Sequence, residues 1–250
     1  MQTKNNLYKK HTQDRPYFRR YIKYQNRYSK KIRESDRWIL SFLKSKLRQN
    51  KKLSILDVGC STGNLLFHLR QRYPRHVYSG GDLSDLQLSH NRCAKHLRQI
   101  EFFKMDVLKF RPRKKYDVIL CNAVLYGFSP PLFVRALKNI SRSLHPGGVF
   151  LNFEFYHPWK QQLEIIEKSS DFPEGHPLYF RPISQVRAMT AGAGFSRSRF
   201  YPFRIPIPLV QPSYRNSSLR SYTVTGGKNR SIFRGALCQP WCFFVARKRK

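Results

Sequence analysis

The sequence predicts an α/β fold: one sheet of about seven mostly parallel strands with helices on both faces. Three observations carry this. From residue 53 onward, short apolar runs alternate with amphipathic stretches of helical period, the pattern of β-α units. A turn of small residues follows the first run directly, in ILDVGCSTGN at residues 55–64. Acids then close the first three runs at Asp57, Asp82 and Asp106, where the ligand crevice of an open parallel sheet lies.

The elements follow in order. Phe18, Tyr21 and Tyr28 fall at spacings of three and seven, one face of an amphipathic helix. ESDRWILSFLKSKLRQN continues with a second helix. LSILDV reads as a buried strand and NLLFHLRQRY as the helix after the glycine turn. HVYSGGD is a second strand, before a helix that Ser84 can cap and Asp85 favours in its first turn. IEFFKMD and YDVILCN are the third and fourth strands. Ser129, Pro130 and Pro131 open the helix LFVRALKNISRSL, and HPGG ends it before the fifth strand, VFLNFEFY. Beyond residue 158 the pattern loosens. PISQVRAMTAGAGF reads as a helix, SRSRFYPFRI as a strand, residues 205–220 as a loop and WCFFVARK as the last strand. RSYTVTGGKNRSIFRG reads as a hairpin turning at Gly226 and Gly227.

The predicted organisation is a basic, aromatic N-terminal arm over 1–34 and one domain over 35–250. Its β-α half spans 53–158, and its C-terminal part, 159–250, carries an insertion at about 205–235. The charged N-terminus and five irregularly spaced cysteines suit reduced thiols in the cytoplasm better than a disulfide framework. Cys238 and Cys242 lie four residues apart without neighbouring histidines, a poor zinc signature, so no metal is expected. No apolar run reaches the length of a membrane span.

Charge points to polyanions: the net value is +34, from 48 Lys and Arg against 14 acids. Residues 1–52 hold 17 of those cations and 3 of the acids, so the arm is the more basic part per residue. Its tyrosines among cations could stack on bases, or form the apolar face of a covering helix. RNA is therefore a possible partner; oligomeric state is open.

The turn after Asp57 excludes two phosphate-loop classes. No Gly-Lys-Ser/Thr follows Gly63, as nucleotide hydrolases need. The third glycine of a dinucleotide fingerprint is absent. What stands is Asp-x-Gly-x-Ser-x-Gly, which resembles motif I of the class I S-adenosylmethionine-dependent methyltransferases, with a core like their type 11 and 12 members. Ser61 departs from the Gly usual at that place. The GGDLSDLQL segment resembles the family's ribose-binding strand end, and FFKMDVL its adenine-binding one. The resemblance covers about residues 35–158. It implies a Rossmann-like fold and S-adenosyl-L-methionine as cofactor. By the same resemblance, Asp57, Gly59, Cys60, Ser61, Gly63, Asp82, Leu83, Asp106, Val107 and Asn122 form the cofactor site.

Absences narrow the acceptor. The Asn/Asp-Pro-Pro-aromatic stretch of adenine-amino enzymes is replaced by CNAVLYGF, and Cys121 lacks the preceding Pro of cytosine-C5 enzymes. A flipped base held by those motifs is disfavoured. The expectation is a small-molecule acceptor. The alternatives are RNA held by the basic arm, and a nucleic-acid-binding protein with a vestigial cofactor site, against which the three acids argue. His157, after the fifth strand, is the candidate general base; otherwise it is a turn residue before Pro158. Tyr126 is expected with Asn122 at the methyl end, and Glu154 inside the strand is a fold-stabilising or catalytic acid.

Overall fold

Apolar residues on both faces of one strand set the architecture. In β1 (Ser54–Val58), Ile55 and Leu56 are both fully buried on opposite faces, so helices must cover the sheet above and below. The computed structural model describes residues 14–112, 114–168, 173–203, 221–226, 229–234 and 241–250. Its strands continue with β2 (Val77–Asp82), β3 (Glu101–Lys104), β4 (Tyr116–Asn122) and β5 (Leu144–His157). After these come β6 (Leu163–Glu167), β7 (His176–Pro182), β8 (Phe195–Pro202), β9 (Ser221–Gly226), β10 (Asn229–Arg234) and β11 (Trp241–Lys248). The main sheet runs β3-β2-β1-β4-β5-β11-β8. Pairing from β3 through β5 is parallel, β11 is antiparallel to both neighbours, and the order reverses between β1 and β4. That reversal opens a crevice at the carboxyl ends of the strands.

The helices are α1 (Arg15–Lys30), α2 (Glu34–Leu47), α3 (Asn64–Arg72), α4 (Asp85–Cys93), α5 (Pro130–Arg142) and α6 (Ile183–Gly192). They divide between two apolar layers. Ile39, Leu43, Leu66, Leu69 and Leu88 of α2, α3 and α4 pack on one face of the sheet. Phe133, Leu137, Ile140 and Val186 of α5 and α6 pack on the other. Ser84 caps α4 as expected, its hydroxyl accepting from the Gln87 N–H at 3.3 Å.

The seven strands of the path from β3 to β8 match the expected sheet, and among the described residues β6 and β7 extend it, because they pair with each other and β7 joins the end of β5. The expected hairpin is present as the separate pair β9–β10, but Gly226 is itself paired, with Asn229. Its turn, the expected loop over 205–220 and Cys238 lie outside the described residues. No helix among the described residues is long and apolar enough to cross a membrane.

Candidate active site

Between β1 and α3 the chain must reverse within five residues, and left-handed backbone makes this possible. Gly59 and Gly63 sit at φ 69° and 70°, a region that glycine enters without steric cost. At Gly59 a Cβ would overlap the Val124 side chain. Ser61, where the resembling motif has glycine, also sits at positive φ, 48°. The Gly59 and Cys60 N–H groups both donate to the Gly81 carbonyl, at 2.7 and 3.1 Å, which ties the turn to the end of β2.

That anchor brings Asp82 against the turn. Its carboxylate accepts from the Ser61 N–H and the Ser84 N–H, both at 2.9 Å, and burial pushes its pKa up. An ionised carboxylate offers about four acceptor positions, so capacity remains for the hydroxyls of a ligand. Asp106 follows β3 and accepts from the Leu108 N–H at 2.9 Å.

A cavity of about 280 Å³ opens at these strand ends. Gly59, Ser61, Asp82, Leu83, Asp106 and Val107 line it, six of the ten residues expected in the cofactor site. Asp57, Cys60, Gly63 and Asn122 do not. Strand alternation turns Val58 to the cavity and Asp57 to the opposite face. There burial, then Asp36 and Asp82, push its pKa well up. Cys60 belongs to the apolar layer of α2 and α3. Gly63 is the N-cap of α3. Asn122 ends β4 just before the lining pair Ala123 and Val124.

His157 is also outside the cavity. It is fully buried at the end of β5, where β5 pairs with β7 at Pro182. Its ring lies 4.9 Å from that of Trp159, and burial lowers its pKa. The histidine that does line the cavity is His176 at the start of β7, edge-on to Tyr126 at 5.6 Å and likewise lowered by burial. Sequence reasoning missed it because β6 and β7 carry no β-α signature.

The cavity's outer wall comes from the N-terminal arm. Tyr17 and Tyr21 of α1 line it, and the Tyr21 hydroxyl meets the Ser61 hydroxyl at 2.7 Å. Further along, the Gln25 carbonyl accepts from Asn64 Nδ2 at 3.0 Å, and the Tyr28 carbonyl bonds His68 Nε2 at 2.8 Å. Of the aromatic face read from the sequence, Tyr21 lines the cavity and Phe18 lies edge-on to His90 of α4 at 6.2 Å, while Tyr17, off that face, lines the cavity too.

The inner wall is the segment after β4, and two buried charges hold it. Glu154 Oε1 accepts from the Val124 N–H at 2.9 Å and the Leu125 N–H at 2.7 Å, while burial raises its pKa to about 7. Arg181, fully buried, donates to the Leu125 carbonyl at 3.3 Å and to the Phe128 carbonyl, with its guanidinium 4.2 Å from the Phe133 ring centre. Glu154 thus serves the loop; Arg181 had no sequence signal beyond its charge.

Comparison with known proteins bears on the fold. Residues 55–148 match a family model described as a methyltransferase domain. A malonyl-acyl-carrier protein O-methyltransferase of Bacillus cereus is 24% identical over 138 residues, 55% of this chain and 51% of that protein. A tRNA U34 carboxymethyltransferase of Sulfurimonas denitrificans is 29% identical over 151 residues, 58% of this chain and 49% of that protein. The chain thus spans about half the length of these curated relatives. The solved structure of human N-acetylserotonin methyltransferase with SAM superposes with a TM-score of 0.57 at 15% identity, over 87% of this chain and 52% of that one.

Proposed function

We propose that this chain, whose core is a class I S-adenosylmethionine-dependent methyltransferase domain, methylates a small-molecule acceptor in the cavity closed by α1. One observation carries the reading: a single cavity gathers the glycine turn, Asp82 and Asp106 from three strand ends, with Tyr17, Tyr21, Tyr126 and His176 on its remaining walls. These residues fit the cofactor. Asp82 retains acceptor capacity for ribose hydroxyls, Leu83 and Val107 offer apolar contact to a base, and side-chain-free Gly59 admits close backbone approach. Bound there, S-adenosylmethionine supplies an electrophilic methyl group.

The chain's own contribution is position and proton transfer. Methyl transfer is an in-line displacement, so the walls act mainly by orienting the acceptor and excluding water. Glu154 and Arg181 fix the inner wall, and α1 the outer one. If the acceptor must lose a proton, we assign that role to His176 rather than His157. Burial lowers its pKa, which favours the neutral imidazole that can accept a proton. The aromatic cover favours a small acceptor over RNA, since Tyr17 and Tyr21 of the arm are engaged at the cavity.

Transfer of labelled methyl from the cofactor to fractionated cell extract tests the reading. Label in the small-molecule fraction is expected; label confined to RNA would move the acceptor to the alternative class. A general base contributes about 10²–10⁴-fold, so His176→Asn should slow turnover on that scale while His157→Asn stays near wild type. The reverse order would restore His157.

A further inference from the structure

A second concavity, of about 840 Å³, lies at the opposite end of the sheet. Its origin is in the strand register. On one face, Phe153, Phe243 and Tyr201 stand side by side across β5, β11 and β8. Aromatic residues of α2 cover that row, with Trp38 stacked on Phe243 at 3.8 Å and Phe42 edge-on to Tyr201 at 5.6 Å. Toward the amino end of β5, the same face continues as Val245 beside Arg199, then Val149 beside Arg247 beside Arg197. Here α2 ends, and Lys46 from its last turn faces this uncovered shelf.

The shelf is unbalanced electrically. Arg197, Arg199 and Arg247 are exposed, and no ion pair engages them among the described residues. Arg197 and Arg247 are directly cross-strand, an arrangement of like charges that destabilises a sheet. Lys46 is held below its usual pKa, first by burial and then by Arg247. The carboxylate that Lys46 feels, Asp117, is bonded to Ser54 and lies 3.7 Å from Lys51. Lys46, Arg197, Arg199 and Arg247 therefore converge on a concave surface that Lys248, Arg249 and Lys250 also line, with no acidic side chain in that lining among the described residues.

We infer that this shelf binds the sugar-phosphate backbone of a single-stranded polynucleotide. Arg197 and Arg199 are two residues apart on one strand, about 6.6 Å, a spacing that suits successive phosphates. Planar guanidinium forks match phosphate oxygens. Half-buried Tyr201 packs against Trp38 and Phe42 and lines the edge of the shelf; the part left exposed can meet an unstacked base, which a duplex keeps within its stack. A concave surface also suits a strand better than a flat bilayer. The shelf is at the amino ends of the parallel strands and the cofactor cavity at their carboxyl ends, so the inference does not rest on the methyl-transfer reading.

The test is fluorescence anisotropy with labelled oligouridylate and oligothymidylate of about 16 nucleotides, and with a DNA duplex of the same length. R197Q/R199Q/R247Q is compared with K109Q/R135Q/K138Q, which removes the same charge from exposed positions elsewhere. The shelf variant should bind oligouridylate at least tenfold more weakly, while the control changes less than threefold. Its salt slope should fall by about two, for three lost phosphate contacts at roughly 0.7 each. Equal losses for oligothymidylate assign the contacts to phosphate, and a loss for oligouridylate alone adds the 2′-hydroxyl. Melting at or above the wild-type temperature verifies the fold and the relieved repulsion; the single variant R247Q carries the same test should the triple variant melt lower. Equal weakening in shelf and control variants would overturn the inference in favour of diffuse charge. No weakening, or tighter duplex than single-strand binding through these arginines, would overturn it equally.

Discussion

Asp82 joins two structural jobs at one carboxylate, closing the glycine turn through the Ser61 N–H and starting α4 through the Ser84 N–H. Its remaining acceptor capacity faces the cavity. A charge-assisted hydrogen bond contributes on the order of 1.5–3 kcal/mol, so Asp82→Ala should weaken cofactor binding by roughly ten- to a hundredfold. Calorimetry on the folded variant checks this, and unchanged affinity would remove Asp82 from the site. Ser61 poses a different question, because a serine at φ 48° carries strain of about 1–2 kcal/mol that glycine would not. Its hydroxyl meets Tyr21, and such a bond stabilises by about 1 kcal/mol. Ser61→Gly should therefore change stability little in the wild type, yet stabilise by about 1 kcal/mol when Tyr21 is already Phe. Denaturation of the four proteins measures the coupling. The same effect in both backgrounds would mean that the two hydroxyls are independent.

At the scale of elements, α1 is the part whose role changes most between sequence and structure. Its charge suggested a nucleic-acid arm; its aromatic spacing suggested a covering helix, and the covering face is what packs, through Tyr17, Tyr21, Gln25 and Tyr28. Replacing Tyr17 and Tyr21 together by Ala should raise the cofactor dissociation constant about tenfold, the equivalent of 1.4 kcal/mol. Equilibrium dialysis that finds no change would place α1 outside the cofactor site. The β-α core from β1 to β5 was legible because each strand is apolar, each helix periodic, and each turn marked by glycine, serine or proline. The six cavity-lining residues were legible for the same reason, lying at strand ends in a recognisable motif. Asp57 and Cys60 failed as lining residues because alternation and core burial turn them away, which a motif does not encode. β6, β7 and His176 were not legible, since a short pair stitched to one end of β5 leaves no β-α period. Glu154 and Arg181 looked like ordinary charges. Only tertiary burial shows that one binds the N–H groups and the other the carbonyls of the same loop.

For the whole molecule, pH is the variable that reads its buried carboxyls, because Asp36, Asp57, Asp82 and Glu154 all fold with raised pKa values. Asp36 moves from 3.8 to about 6 and Glu154 from 4.5 to about 7, each chiefly through burial. Below the unfolded values, both states hold these protons and the groups oppose nothing. As pH rises from about 4 to 7, the unfolded chain releases its protons first, so each group makes the folded state progressively less stable until its folded pKa is passed. The bulk charge acts in the other direction, since acid adds to a net +34 and increases self-repulsion. The absolute slope is thus a sum of opposing effects, whereas the difference between two proteins isolates one group. Glu154→Gln keeps an oxygen for the Val124 and Leu125 N–H groups while removing the titration. Its stability relative to wild type should climb between pH 5 and 7 and then level off, by up to about 1.4 kcal/mol per pH unit for one proton. Urea denaturation of both proteins across that range measures the climb. A constant difference from pH 5 to 8 would mean that Glu154 is ionised throughout and that Arg181 compensates its charge in full.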